Sequence, residues 1–128
     1  TSEAYALLFK LLCDPGDEVL VPRPSYPLFD YLAQLEGVAA KQYPLFFDHG
    51  WHVDVAAMGA SVTPRTRAIV LVNPNNPTGS YVKQAELAEI IRVAARHDLA
   101  LMSDEVFAAY PLDPPSDAVR TLHECGAP

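Results

Sequence analysis

The sequence has 128 residues, of which half are hydrophobic and 20% are charged, and its formal net charge at pH 7 is −7. This composition predicts one globular domain with its own core and excludes a disordered chain. The acidic balance argues against a nucleic-acid partner, because phosphate binding needs clustered Lys and Arg. The sequence shows no membrane-spanning stretch, no signal peptide and no metal-binding pattern. Cys13 and Cys125 lack motif spacing, which favours a reduced, cytoplasmic location.

Hydrophobic periodicity and turn residues predict helices and strands that alternate along the chain. We expect helices at about 2–13, 28–37, 53–60, 84–97 and 116–124, and strands at about 18–22, 40–47, 68–72 and 99–103. The first helix is expected to be capped by Ser2 and to bury Ala4, Leu7, Leu8 and Leu11. The second is expected to bury Leu28, Tyr31, Leu32 and Leu35. This alternation predicts an α/β fold with a mostly parallel sheet.

A rigid polar loop follows the strand at 68–72, with the sequence Asn73-Pro74-Asn75-Asn76-Pro77-Thr78-Gly79. Open α/β sheets bind their ligands at the carboxyl ends of such strands. Each proline restricts the residue before it, so we expect the amides of Asn73 and Asn76 to project from a stiff backbone. An ordinary turn is the alternative, since Asn and Pro are common in turns.

Several polar residues are expected to meet at the edge where this loop lies. Parallel strands place Asn76 and Asp104 on the same edge, and Tyr26 joins them if the first strand is also parallel. The helix start at Thr1 and Ser2 would face this edge as well and would suit a phosphate. A carboxylate such as Asp104 can keep a heterocyclic nitrogen protonated, and Tyr26 can stack on a flat ring. Each feature alone has a simpler interpretation, as a helix cap, a surface carboxylate or a half-buried aromatic, so their convergence is the stronger evidence.

Four motifs together resemble the class I/II aminotransferases, which are fold-type I enzymes dependent on pyridoxal 5′-phosphate (PLP). They are the loop at 73–79 and the segments Asp14-Pro15-Gly16-Asp17-Glu18-Val19, Pro24-Ser25-Tyr26-Pro27 and Ser103-Asp104-Glu105-Val106-Phe107. The resemblance extends from residue 1 to about residue 110. It implies a three-layer α/β/α fold, in which residues 1–128 are part of the large PLP-binding domain and are truncated at both ends.

The resemblance implies that several residues bind PLP. Thr1 and Ser2 look like the end of the segment that cradles the cofactor phosphate. Tyr26 looks like the aromatic residue that stacks on the cofactor ring. Asn76 looks like the amide that binds the phenolic oxygen, and Asp104 looks like the acid paired with the pyridine nitrogen.

Phe107 is also expected at the cofactor, but it departs from the family pattern. The family usually has Tyr at this position, and the Tyr hydroxyl donates to the phenolic oxygen of the cofactor. We therefore expect an altered pH dependence of the bound cofactor rather than a loss of binding. Tyr110 is a second candidate for the missing donor.

The sequence contains no match to the family's Schiff-base lysine or to its carboxylate-binding arginine. Lys10, Lys41 and Lys83 lie in other contexts. We expect the Schiff-base lysine beyond Pro128, no catalytic residue within this chain, and no transaminase activity from this polypeptide alone.

The resemblance implies a fragment of a PLP-dependent aminotransferase that moves an amino group from an amino acid to a 2-oxo acid and acts as a homodimer. A PLP-dependent carbon–sulfur β-lyase of the same fold is one alternative. A non-catalytic ligand-sensing domain of a transcription regulator is another. A nucleotide-binding doubly wound domain is disfavoured, because the sequence has no Gly-x-Gly-x-x-Gly and no P-loop.

Overall fold

The structure is a computed structural model that describes residues 1–110 and 114–125. Its elements in chain order are α1 (Ser2–Leu12), β1 (Glu18–Arg23), α2 (Phe29–Leu35), β2 (Ala39–Phe47), β3 (Trp51–Val53), α3 (Val55–Ala60), β4 (Thr66–Val72), α4 (Gln84–His97), β5 (Ala100–Asp104) and a 3-10 turn at Leu122–Cys125. Within these described residues, no helix has the length and apolar character needed to cross a membrane.

The strands form a five-stranded sheet in the order β3-β2-β1-β4-β5. β1 is parallel to β2 and to β4, and β4 is parallel to β5, whereas β3 is antiparallel to β2. The mostly parallel sheet predicted from the sequence is confirmed. The chain first adds β2 on one side of β1 and later adds β4 on the other side. This reversal opens a crevice beside the carboxyl ends of β1 and β4, where open α/β sheets bind ligands.

Helices cover both faces of the sheet, so the fold has three layers. Side chains along β4 alternate between the faces, as the pleat of a strand requires. Ala68, Val70 and Val72 pack in the cluster that includes residues of α1 and α2, and Ile69 and Leu71 pack in the cluster that includes residues of α3 and α4. The unbroken apolar run of β4 therefore serves two cores, and the predicted α/β/α arrangement is confirmed.

The buried face of α1 differs from the predicted one. Tyr5 and Phe9 are buried in α1. The residues predicted to face the core are exposed instead: Ala4, Leu7, Leu8 and Leu11. Because α1 is apolar nearly all round, its periodicity does not select one face. The two aromatic rings, one helical turn apart, bury more area than leucines and take the core position.

The buried face of α2 was also predicted wrongly, whereas that of α4 was predicted correctly. α2 buries Phe29 and Ala33, while most of its predicted face is exposed: Leu28, Tyr31 and Leu35. The helical spacing of the apolar residues at 84–97 predicts one buried face, formed by Leu87, Ile90, Ile91, Ala94 and Ala95. α4 buries three of these five residues: Leu87, Ile90 and Ala94. The prediction works for α4 because its opposite face is polar and only one stripe is apolar.

The sequence analysis missed β3 and was wrong about the helix at 116–124. Ala118 instead forms an isolated antiparallel bridge with Lys83, and the N–H of Val119 donates to the carbonyl of Val82 at 2.8 Å. Only Leu122–Cys125 has helical structure in this segment, as a 3-10 turn. Pairing with the segment before α4 overrides the local helical preference of these residues.

Glu18 is a charged side chain that is almost fully buried, with 1% exposure, at the amino end of β1. Its carboxylate accepts hydrogen bonds from Thr63 Oγ1 at 2.5 Å and from the Arg65 guanidinium at 3.0 Å, and it lies 3.3 Å from Lys41 Nζ. The hydrogen bond from Thr63, helped by Lys41 and Arg65, holds the pKa of Glu18 below its ordinary value against the opposing effect of burial. Glu18 thus ties β1 to β2 and to the segment before β4.

Replacing this carboxylate with a neutral amide should destabilise the fold in a pH-dependent way. At pH 7 we expect Glu18→Gln to lower the free energy of unfolding by about 1–3 kcal/mol. Because the folded-state pKa is lowered, the stabilisation is present above the ordinary value of 4.5 and is lost as the pH falls through the folded-state value. The difference between the variant and the unmodified protein should therefore shrink below pH 4.5 in urea unfolding followed by circular dichroism. Glu89→Gln, at an exposed position of α4, is the control, and equal losses in the two variants would contradict this account.

Candidate functional site

A cavity of about 150 Å³ opens at the edge where the carboxyl ends of β1, β4 and β5 meet the amino end of α1. We call it the rim cavity. All six residues that the sequence analysis selected line it: Thr1, Ser2, Tyr26, Asn76, Asp104 and Phe107. The remaining lining residues are Tyr5, Leu32, Val72 and Val106. Residues from four separate segments of the chain thus meet in one space.

The amino end of α1 contributes free donors to the rim cavity. Thr1, not Ser2 as the sequence analysis expected, is the N-cap residue, and Ser2 is the first residue of the helix. In the described part of the chain, no side chain caps the N–H groups of the first turn. Uncapped amides and the positive end of the helix dipole favour an anion. The exposed hydroxyls of Thr1 and Ser2 lie beside them.

The amide of Asn73, one of the two expected to project from the stiff loop, points into the protein interior. Asn73 is 3% exposed. Its Nδ2 donates to the carbonyl of Val119 at 2.8 Å, and its Oδ1 accepts from the N–H of Val82 at 2.9 Å. Both halves of the amide are therefore used to hold neighbouring segments, and Asn73 has a structural role.

Asn75 couples the loop after β1 to the loop after β4. It is 5% exposed. Its Oδ1 accepts from Ser25 Oγ at 2.8 Å, and its Nδ2 donates to the carbonyl of Pro24 at 3.0 Å and to Thr78 Oγ1 at 2.9 Å. Sequence reasoning missed this role. The available signal was a third asparagine between two that precede proline, close to a threonine that completes a local polar turn.

Asn76 and Tyr26 are the groups that these loops present to the rim cavity. Asn76 is half-buried, and its side chain makes no hydrogen bond within residues 1–110 and 114–125. The Tyr26 ring is 37% exposed and meets Phe29 edge-on, with ring centroids 6.3 Å apart. An amide and an aromatic surface are therefore free to contact a ligand.

Asp104 ends β5, and both of its carboxylate oxygens are held. Oδ2 accepts from the Tyr5 hydroxyl at 2.8 Å, and Oδ1 accepts from the N–H of Val106 at 3.0 Å. A carboxylate oxygen has two lone pairs, so Asp104 can still accept a donor from the rim cavity. Sequence reasoning missed Tyr5, although its spacing from Phe9 is that of a buried helix face and a buried hydroxyl needs a partner.

Phe107 lies in the turn after β5 and is 41% exposed. It brings a ring without a hydrogen-bond donor to the rim cavity. Tyr110, the other candidate for this donor, does not line the rim cavity. It lines a neighbouring cavity of about 220 Å³ that also includes Asn76 and Phe107.

The described residues bring no lysine side chain into the rim cavity. The chain's three lysines all lie in the described ranges, and each forms an ion pair with a glutamate elsewhere: Lys10, Lys41 and Lys83. The rim cavity therefore offers an acid, an amide, hydroxyls and an aromatic surface, but no lysine.

Residues 1–126 match the family described as Aminotransferase class I and II. The chain belongs to this family. It is 39% identical over 106 residues to glutamate-pyruvate aminotransferase AlaA of Escherichia coli (strain K12), and the match covers 83% of this chain and 26% of that protein.

Two solved structures show the same fold. Alanine aminotransferase from Pyrococcus furiosus matches with a TM-score of 0.79 and 38% identity, over 84% of this chain and 27% of that one. N-Succinyldiaminopimelate aminotransferase from Mycobacterium tuberculosis matches with a TM-score of 0.78 and 37% identity, over 82% of this chain and 28% of that one. The chain spans about a quarter of the length of the curated relatives it matches. Because aminotransferases named for different substrates match about equally well, the likeness does not identify the substrate of this family member.

Removing the Asn75 side chain should loosen both loops of the site. Asn75→Ala removes the partner of the partly buried Ser25 hydroxyl and of the Pro24 carbonyl, so we expect the free energy of unfolding of the ligand-free protein to fall by about 1–3 kcal/mol. Amide hydrogen exchange should rise at the non-proline residues of both loops, namely Ser25, Tyr26, Asn76, Thr78 and Gly79. Asn76→Ala is the matched control, since its side chain has no partner in the described part of the chain, and it should change neither quantity. Equal effects of the two substitutions would show that Asn75 does not couple the loops.

Proposed function

We propose that the full-length protein is a PLP-dependent aminotransferase and that this chain is part of its large, PLP-binding domain. The observation that carries the proposal is the rim cavity, where Thr1, Ser2, Tyr26, Asn76 and Asp104 meet. Membership in the class I and II aminotransferases supports it, since enzymes of this family are typically PLP-dependent. The relatives and structures described above are all named as aminotransferases, which favours amino transfer over the lyase and regulator alternatives.

The groups that line the rim cavity fit the parts of PLP. The uncapped start of α1, with the hydroxyls of Thr1 and Ser2, suits the phosphate. The Asn76 amide suits the phenolic oxygen, and the Asp104 carboxylate suits the ring nitrogen. The Tyr26 ring suits the flat face of the pyridine. PLP has a part that suits each of these four groups. The combination therefore indicates PLP more strongly than any one of the groups does alone.

PLP, when bound, supplies an electron sink for carbanion chemistry at the α carbon of an amino acid. Asp104 holds a proton on the ring nitrogen, because a neighbouring negative charge favours the protonated, positive form. Asn76 donates to the phenolic oxygen and fixes the orientation of the ring. Tyr26 covers the ring and keeps water from it. The α1 amides, with Thr1 and Ser2, hold the phosphate.

The residue that moves the α-proton is proposed to come from another part of the full-length protein. None of Lys10, Lys41 and Lys83 lines the rim cavity, and the family uses a lysine for this step. The amino acid and 2-oxo acid substrates, the homodimer, the cytoplasmic location and the inactivity of this chain alone stay predictions.

Asp104→Asn should slow amino transfer because an amide does not carry the charge that keeps the ring nitrogen protonated. We expect the single-turnover rate of the full-length protein to fall by about 10²–10⁴-fold. The measurement is release of 2-oxo acid from alanine, glutamate and other amino acids, with one equivalent expected per bound PLP. Asp98→Asn is the control, since Asp98 ends α4 with a left-handed backbone that Asn also adopts.

Two results would contradict the proposal. If the Asp104→Asn variant is as fast as the unmodified protein, Asp104 does not act on the ring nitrogen. If the protein releases pyruvate and a thiol from cysteine conjugates without transferring the amino group, it is a β-lyase and not an aminotransferase.

Phe107→Tyr should change the pH dependence of bound PLP. The new hydroxyl adds a donor to a wall of the rim cavity that has none at this position, and donation to the phenolic oxygen favours its negative form. We therefore expect the pKa of the bound chromophore to be lower in the variant when absorbance is titrated against pH. Phe47→Tyr, at a position of β2 that is 67% exposed, is the control. A pKa that stays in place or rises in Phe107→Tyr would contradict the assignment.

A further inference from the structure

The hydrogen bond between Tyr5 and Asp104 joins α1 to the end of β5 across 99 residues of sequence. We propose that Tyr5 is a positioning residue that fixes the Asp104 carboxylate and favours its charged form, so that the shared proton stays on the ring nitrogen of PLP. This inference rests on the proposed function. It assigns a task to a residue that the sequence motifs do not mark.

The Tyr5 ring is held in one place by its surroundings. It is 5% exposed. Its centroid lies 5.8 Å from that of Phe9 and 5.4 Å from that of Phe29, which it meets edge-on. A ring confined on two sides delivers its hydroxyl to a fixed point, and that point is Asp104 Oδ2 at 2.8 Å.

The Tyr5 hydroxyl acts as a donor throughout the physiological pH range. Burial raises the pKa of Tyr5 well above its ordinary value, and the hydrogen bond to Asp104 raises it further. The phenol therefore stays protonated and donates to the carboxylate. A hydrogen bond donated to a carboxylate favours its charged form over its protonated form.

The second oxygen of Asp104 completes this arrangement. Oδ1 accepts from the N–H of Val106 at 3.0 Å, so each oxygen has one donor from the protein. Two donors at fixed positions prevent rotation of the carboxylate and leave a lone pair for the rim cavity. Without the Tyr5 donor, the carboxylate is a stronger competitor for the proton of the ring nitrogen.

The test compares Tyr5→Phe with Tyr43→Phe in the full-length protein. Both substitutions remove a buried hydroxyl and keep the ring, and the Tyr43 hydroxyl donates to the carbonyl of Val70 at 2.8 Å, outside the rim cavity. We expect Tyr5→Phe to raise the dissociation constant for PLP about tenfold. In solid-state NMR of the Tyr5→Phe variant with ¹⁵N-labelled PLP, the signal of the PLP ring nitrogen should move toward that of a neutral pyridine. Tyr43→Phe should lower stability and change neither readout.

A double-mutant cycle separates a role through Asp104 from a structural role of Tyr5. If Tyr5 acts through the carboxylate, Tyr5→Phe should add little to the loss of PLP affinity in an Asp104→Asn background. Additive losses would overturn the inference. A fluorinated tyrosine with a more acidic hydroxyl at position 5 should move the ¹⁵N signal in the direction opposite to Tyr5→Phe. This variant keeps both the ring and the hydroxyl, so it provides the test if Tyr5→Phe folds poorly.

The outcomes distinguish this inference from the proposed function. If the unmodified protein does not bind PLP, the proposed function fails and the inference fails with it. If the unmodified protein binds PLP and Tyr5→Phe changes neither the dissociation constant nor the ¹⁵N signal, only the role of Tyr5 is overturned.

Discussion

Parallel pairing of β1, β4 and β5 is the constraint on which the candidate site depends. Strands that run the same way end at the same edge, so residues far apart in sequence are brought together there. Val72 is opposite Asp104 in the register of β4 and β5, and the N–H of Asn73 donates to the carbonyl of Asp104 at 2.9 Å. α1 leads back to the start of β1, which puts its amino end at the same edge. A shift in the register of β4 against β5 would separate the amide of one loop from the acid of the next.

Polar groups at this edge divide into those that build the site and those that face the ligand. The side-chain amides of Asn73 and Asn75 are buried, and both the nitrogen and the oxygen of each are hydrogen-bonded within the chain. In the part of the chain that the structure describes, the amide of Asn76 and the first-turn N–H groups of α1 have no side-chain partner. The hydrogen bonds of Asn73 and Asn75 stiffen the loop after β4, so the Asn76 amide keeps its position there without a partner of its own. Asp104 belongs to both sets, since Tyr5 fixes it and it keeps a lone pair for a ligand.

Sequence reasoning located the elements that have one clear pattern. The apolar run of β4 and the single apolar stripe of α4 predicted both elements and their buried faces. The faces of α1 and α2 were predicted wrongly, because a helix that is apolar nearly all round gives no direction. The role of Tyr5 was out of reach, because its partner is 99 residues away and no local pattern specifies such a pair. The role of Asn75 was not predicted for the same reason, since its contact with Ser25 spans 50 residues.

The central claim is that the rim cavity binds PLP, and a crystal structure of the full-length protein with PLP tests it most directly. The account predicts the ring nitrogen within hydrogen-bonding distance of Asp104, the phosphate at the start of α1 and the phenolic oxygen beside Asn76. PLP bound elsewhere, or bound in the rim cavity with its ring nitrogen turned away from Asp104, would contradict the account.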